Sequence, residues 1–158
     1  MKPGESTKDR EVIVTRRFHA PRDVVFRAFA EPDLIAKWWG PRGFRMTIHE
    51  MNFSVGGVWR FIMHGPDGAD FPTRIVYSEI EPPRRIAYVE SPDGEEPRLE
   101  AAVTLDEADG KTTVTFHGVW PTQAARDMPI GKIAWFDGAT ETLERLARLL
   151  EQHRPSGV

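Results

Sequence analysis

Residues 38–44 read Trp38-Trp39-Gly40-Pro41-Arg42-Gly43-Phe44, and a strand-like run follows them as far as Gly56-Gly57. Two adjacent tryptophans inside one helix would force one large apolar ring into water. They are therefore expected to end a helix, with one ring in the core and the other over the loop that follows. Gly40, Pro41 and Gly43 break the helix there. The chain must change from helix to sheet at this point, and that change limits the fold more than any other feature.

The residues before the tryptophans supply the first elements. Glu11 to His19 is rich in Val, Ile, Thr and Phe and reads as a strand. Pro21 sits where a helix would start, and Val25, Phe26 and Phe29 follow at helical spacing. A second short helix is expected from Pro32, with Leu34, Ile35 and Trp38 on one stripe.

After Phe44 the period becomes two. Phe44, Met46 and Ile48 alternate with Arg45, Thr47 and His49. Trp59, Phe61 and Met63 alternate with Arg60, Ile62 and His64. Pro66-Asp67-Gly68 is a hairpin signal. Phe71 to Ile80 and Arg85 to Ser91 are the next strands, separated by Pro82-Pro83. Leu99 to Asp106 and Thr113 to Trp120 complete six closely spaced strands, which implies an antiparallel meander. Beyond a polar connection, Pro121 to Pro129, a long helix is expected from about Ile130 to Gln152. Its apolar stripe is Ile133, Phe136, Ala139-Thr140, Leu143, Leu146-Ala147 and Leu150.

This order gives an α+β chain: a curved antiparallel seven-stranded sheet wrapped round a long C-terminal helix, with two short helices after strand one. A bent sheet gripping one helix tends to leave a gap between them, and such concave apolar gaps are where small ligands bind. The 158 residues fit one domain. Residues 1–10 are expected as a flexible lead-in, 11–152 as the domain and 153–158 as a tail.

Composition excludes several functions. There is no cysteine, hence no disulfide, thiolate metal site or cysteine nucleophile. A net charge of −3 makes no electrostatic case for nucleic acid. No apolar run reaches the ~18 residues of a membrane span. The polar first ten residues do not read as a signal peptide, so a cytoplasmic protein is expected. None of the five histidines shows metal-ligand spacing. No serine sits in a nucleophile elbow, and Gly56-Gly57 lacks the lysine and helix of a phosphate loop. No cofactor motif is present.

The element order resembles the helix-grip, START-like superfamily of birch-pollen-allergen-like proteins, lipid-transfer domains and polyketide cyclases. More narrowly, it resembles the branch named for activators of heat-shock protein 90 ATPase. The residues that carry the likeness are Arg17-Phe18-His19-Ala20-Pro21-Arg22 with Val25-Phe26, Glu31-Pro32 and Trp38-Trp39-Gly40-Pro41. Val55-Gly56-Gly57, Met63-His64-Gly65-Pro66-Asp67-Gly68, Glu79-Ile80-Glu81-Pro82-Pro83, Gly138 and Leu143-Glu144-Arg145-Leu146 continue it. The resemblance implies the fold but not one function. Two positions depart from the branch. Ala139 stands where it usually has tryptophan, with Trp135 one turn earlier, and Ile75 stands for a glycine. The expected effect is a cavity opened at one end by Ala139 and narrowed elsewhere by Ile75.

The function expected is binding of a small hydrophobic or aromatic ligand between sheet and C-terminal helix. Phe44, Met46, Trp59, Phe61, Met63, Tyr77, Tyr88, Phe116, Trp135, Ala139 and Leu143 are the candidate lining. The tyrosines stand out because a buried hydroxyl needs a partner that a ligand could supply. Glu50 and Glu90 share parity with the apolar faces of their strands; the plainer expectation is that each strand end emerges into solvent there. Arg60 and Arg74 are expected outward, and His117 half-exposed on the sheet. Two alternatives remain open. A chaperone ATPase partner is implied by the family name, though the eukaryotic activators carry a further N-terminal domain. A cyclase- or hydrolase-like enzyme would need a polar pair, Glu50 or Glu90 with a tyrosine, facing the cavity. A homodimer is compatible with the chain but marked by no residue pattern.

Overall fold

The computed structural model describes residues 10–94, 99–122 and 132–152, with 132–137 and 152 as backbone only. Strand β1 (Glu11–Phe18) leads into helices α1 (Arg22–Ala30) and α2 (Pro32–Ile35). Six strands follow: β2 (Arg45–Met51), β3 (Val58–His64), β4 (Asp70–Glu81), β5 (Arg85–Pro92), β6 (Leu99–Ala108) and β7 (Lys111–Val119). Helix α3 (Lys132–Gln152) comes last among the described elements. The lead-in, the connection after Pro121 and the C-terminal tail fall almost entirely outside the described residues.

All seven strands form one antiparallel sheet in the order β1-β7-β6-β5-β4-β3-β2. Strands β2 to β7 are a meander, as the period-two pattern predicts, and β1 returns to pair with β7 from Glu11↔Val119 to Phe18↔Thr112. One face of the sheet is apolar: Val12 and Val14 on β1, Trp59, Phe61 and Met63 on β3, and Ile75 and Tyr77 on β4 are all buried. Ile86 and Tyr88 on β5, Leu99, Ala101, Val103 and Leu105 on β6, and Val114 and Phe116 on β7 extend it. The opposite face carries Arg60, Glu50 and Asp93 in ion pairs, and the Thr47–His64–Asp70 chain of hydrogen bonds.

Helix α3 covers the apolar face with Ala139, Leu143, Leu146 and Leu149, all buried. Burying a leucine of this kind contributes about 1.5–3 kcal/mol, so the helix is held by its stripe. The stripe ends on Leu149; Leu150, expected to be its last member, is only half-buried.

Helix α1 starts immediately after Pro21 and buries Val25, Phe26, Ala28 and Phe29. Helix α2 has Pro32 in its first turn and stops at Ile35. The tryptophans therefore lie in the turn after the helix, not on its last turn. Trp38 is wholly buried, packs edge-on to Phe29 at 4.7 Å and donates from Nε1 to the Ala28 carbonyl at 3.0 Å. Gly56-Gly57 forms a tight turn before β3: Gly56 has φ +80°, and a Cβ at Gly57 would stand 2.1 Å from the Asn52 carbonyl oxygen.

Candidate functional site

A cavity of about 240 Å³ lies between the apolar face and α3. Its walls come from six places. Phe61 and Met63 stand on β3, Thr73 on β4, Tyr88 and Glu90 on β5, and Phe116 on β7. Trp39, Gly40 and Pro41 close it from the turn after α2, and Gly138, Ala139 and Thr142 from α3. The space exists because the helix presents glycine, alanine and threonine here. One turn further on, Leu143 and Leu146 fill the equivalent volume and are fully buried.

Trp39 is the residue the sequence placed differently. Its ring does not lie over the following loop. It turns onto the sheet, 5.3 Å from Trp59, 6.2 Å from Tyr88 and 6.1 Å from Phe116. Gly40 makes this turn possible with φ +105°, and a Cβ there would stand 2.2 Å from Met63 Cε. Arg145 on α3 holds the turn in place. Its guanidinium donates to the carbonyls of Gly40 at 2.9 Å, Pro41 at 3.1 Å and Lys37 at 3.2 Å. The Arg42 backbone N–H donates to the Glu141 carboxylate at 2.9 Å, and its guanidinium forms an ion pair with Glu144 at 3.1 Å. Burial lowers the pKa of Arg145; its charge is spread over carbonyl oxygens, which are favourable acceptors for a cation.

The two strand carboxylates part ways. A β-bulge between Ile48 and Glu50 inserts one residue into β2. It cancels the parity Glu50 shares with Met46 and Ile48 in the sequence. Glu50 is exposed on the outer face, 3.7 Å from Arg60, and Met51 takes the inward place opposite Trp59. Glu90 does the reverse of the plainer expectation. It does not emerge into solvent, because strands flank it on both sides: it pairs with Ile75 of β4 and with Leu99, the first residue of β6, both buried. The carboxyl opens onto the cavity, which leaves the residue half-buried by surface yet enclosed by protein. That enclosure pushes its pKa from 4.5 up to about 7, since burial disfavours the charged form. No hydrogen bond or ion pair joins the Glu90 side chain to another described residue.

The other candidates fall into three groups. Phe61, Met63, Tyr88, Phe116 and Ala139 are brought together on the cavity wall. Trp59, Tyr77 and Leu143 lie in the core behind it. Trp59 stacks on Phe61 at 4.3 Å and Tyr77 packs on Phe53 at 5.0 Å; Trp59 Nε1 and the Tyr77 hydroxyl are buried with no partner among the described residues. Burial raises the pKa of Tyr77 and of Tyr88, and the nearby Glu90 charge adds to the shift at Tyr88. Phe44 lies against Phe71 at 6.1 Å, and Met46 sits on edge strand β2 opposite Met63. The Trp135 side chain lies outside the described residues. A void does adjoin Ala139, and Ile75 is wholly buried behind the wall rather than part of it. The sequence reading missed Trp39, Gly40, Pro41, Thr73, Gly138 and Thr142 as lining.

Arg60 is outward, as expected, and holds Asp93 at 2.7 Å, which lowers the Asp93 pKa. Arg74 is half-buried beside it. His117 is half-exposed at 38% and meets Glu11 at 2.6 Å. Among the described residues no group of three or more His, Asp or Glu side chains gathers to hold a metal. No helix among them is long and apolar enough to cross a membrane.

The architecture has close relatives among solved structures. A crystal structure of a Mycobacterium smegmatis protein superposes with TM-score 0.84 at 21% identity, covering 95% of this chain and 96% of that one. A Nitrosomonas europaea protein gives 0.82 at 22%, covering 91% and 96%. A solution structure from Staphylococcus epidermidis gives 0.78 at 27%, covering 94% of each. No curated protein matches the chain. The family model described as "Activator of Hsp90 ATPase homolog 1-like protein" matches residues 19–151. With the seven-stranded sheet and its gripped helix, that match makes the chain a member of the Activator of Hsp90 ATPase homolog 1-like family.

Proposed function

We propose that this protein binds a small, mainly apolar or aromatic molecule between the sheet and α3. The supporting observation is the 240 Å³ cavity walled by Trp39, Phe61, Phe116 and Ala139 with Glu90 opening onto it. The volume is just below the roughly 300–1,000 Å³ of most ligand pockets, which suits a molecule of one ring with a short substituent. Desolvation of that ring supplies the affinity, and Glu90, Thr73 and Thr142 supply orientation. Native mass spectrometry of protein purified from its own host should find one small molecule per chain. Ala139→Trp should expel it by filling the cavity. A wild-type chain that carries nothing and takes up no small aromatic molecule in titration would overturn the reading.

A second reading, a cyclase- or hydrolase-like enzyme, is favoured by one observation. Glu90 and Tyr88 stand on the same wall of the cavity, the polar pair such chemistry needs. A carboxyl that titrates at about 7 is suited to general acid–base work near neutral pH. Incubating the identified molecule with the protein should then yield product, and Glu90→Gln should keep binding while losing turnover. The chaperone reading gains less. Among the described residues, the exposed large apolar side chains are Ile13, Val24, Val55 and Phe71, which come from separate strands, a helix and a turn.

A further inference from the structure

The charge of the molecule can be argued from the cavity wall, given the binding reading above. Every described residue that lines the cavity is neutral except Glu90. Among the described basic groups nearby, Arg74 shares the outer face with Arg60, and three others are engaged away from Glu90. Arg145 donates to the carbonyls of Lys37, Gly40 and Pro41. Arg42 is held by Glu144, and Arg60 by Asp93 on the outer face. Among the described residues of the sheet's apolar face, the other titratable groups beside Glu90 are Tyr77 and Tyr88, whose hydroxyls stay neutral because burial raises their pKa.

An enclosed carboxyl without a partner has two ways to recover what it loses by leaving water. It can keep a proton, or it can meet a cation. An anionic molecule offers neither and adds like-charge repulsion at short range. The aromatic rings around the space reinforce the choice, since the faces of Trp39, Phe61 and Phe116 attract a positive charge and repel a negative one.

We propose that the cavity selects a monocation: an arylalkyl amine whose ammonium group sits on the Glu90 carboxylate and whose ring lies among Trp39, Phe61 and Phe116. The ion pair forms on a carboxyl that opens onto the cavity from between Ile75 and Leu99, so it discriminates between charge states of one carbon skeleton. Fatty acids, aryl carboxylates and phosphate esters are disfavoured by the same wall.

The test is calorimetric titration of the full chain with three matched probes, 2-phenylethylamine, 2-phenylethanol and 3-phenylpropionate. At pH 8 the amine should bind at least ten-fold more tightly than the alcohol, and the carboxylate most weakly. At pH 5.5 the amine is still charged but Glu90 holds its proton, so the preference should collapse. Glu90→Gln should remove it at both pH values. Equal affinity for amine and alcohol at pH 8, or tighter binding of the carboxylate, overturns the inference and leaves the binding reading standing. Failure of all three probes to bind overturns both.

Discussion

Glu90 costs the fold something that its neighbours do not. Its carboxyl titrates at 4.5 when exposed and at about 7 in the native state. Between those values the native chain holds a proton that the unfolded chain has released, so stability falls as pH rises through the window. Each unit of difference is worth about 1.4 kcal/mol, which puts the full loss on the order of 3 kcal/mol well above pH 7. Glu90→Gln keeps the shape and removes the charge. Denaturant unfolding at pH 4 should show little change for the variant. At pH 8 it should show a gain of about 1–3 kcal/mol. A variant less stable than wild type at pH 8 would mean that Glu90 has a cationic partner. The sequence carried half of this. Its alternation placed Glu90 on the same face as Ile86 and Tyr88. It did not show that Ile75 and Leu99 flank it on both sides, because that depends on the register of three strands rather than on β5 alone.

At the scale of elements, α3 and the Trp38–Gly43 turn form one unit across about a hundred residues of chain, and Arg145 is the link. Arg145→Ala removes its hydrogen bonds to the backbone carbonyls of Lys37, Trp39, Gly40 and Pro41 and leaves those oxygens half-enclosed. The expected loss is about 1.5–3 kcal/mol, the range for hydrogen bonds to a charged group. Arg145→Lys should recover only part of it, since an ammonium cannot reach several carbonyls with a planar fork. Thermal unfolding of both variants, with amide exchange at Gly40 and Arg42, checks this; an unchanged midpoint and unchanged exchange would show that Arg145 is decorative. The elements themselves were legible: strand periodicity, Pro21, Pro32 and the leucine spacing gave the three helices and seven strands found among the described residues. Two local departures were not. The bulge between Ile48 and Glu50 adds a residue without any glycine or proline to mark it. Helix α2 ends at Ile35 because its four residues already present Ile35 to the core, leaving Trp38 and Trp39 to be placed by tertiary packing that no local pattern contains.

For the molecule as a whole, the pairing of β1 with β7 joins residues about a hundred positions apart in the chain. Closing so long a loop costs entropy before the contact repays it, and topologies of this kind fold in milliseconds to seconds. Stopped-flow circular dichroism from denaturant should show refolding in that range, with Val14→Ala in β1 speeding unfolding more than it slows folding. Submillisecond refolding would mean that β1 docks without being needed. The sheet that β1 completes also separates the tryptophans by environment. Trp38, Trp59 and Trp120 are buried away from the cavity wall, whereas Trp39 forms part of it. Intrinsic emission is sensitive to what lies against an indole, so a molecule bound in the proposed site would be expected to alter the light from Trp39 more than that from the three buried rings. If the proposed site is filled, the turn that Gly40 and Arg145 hold in place would make Trp39 an optical gauge of its occupancy.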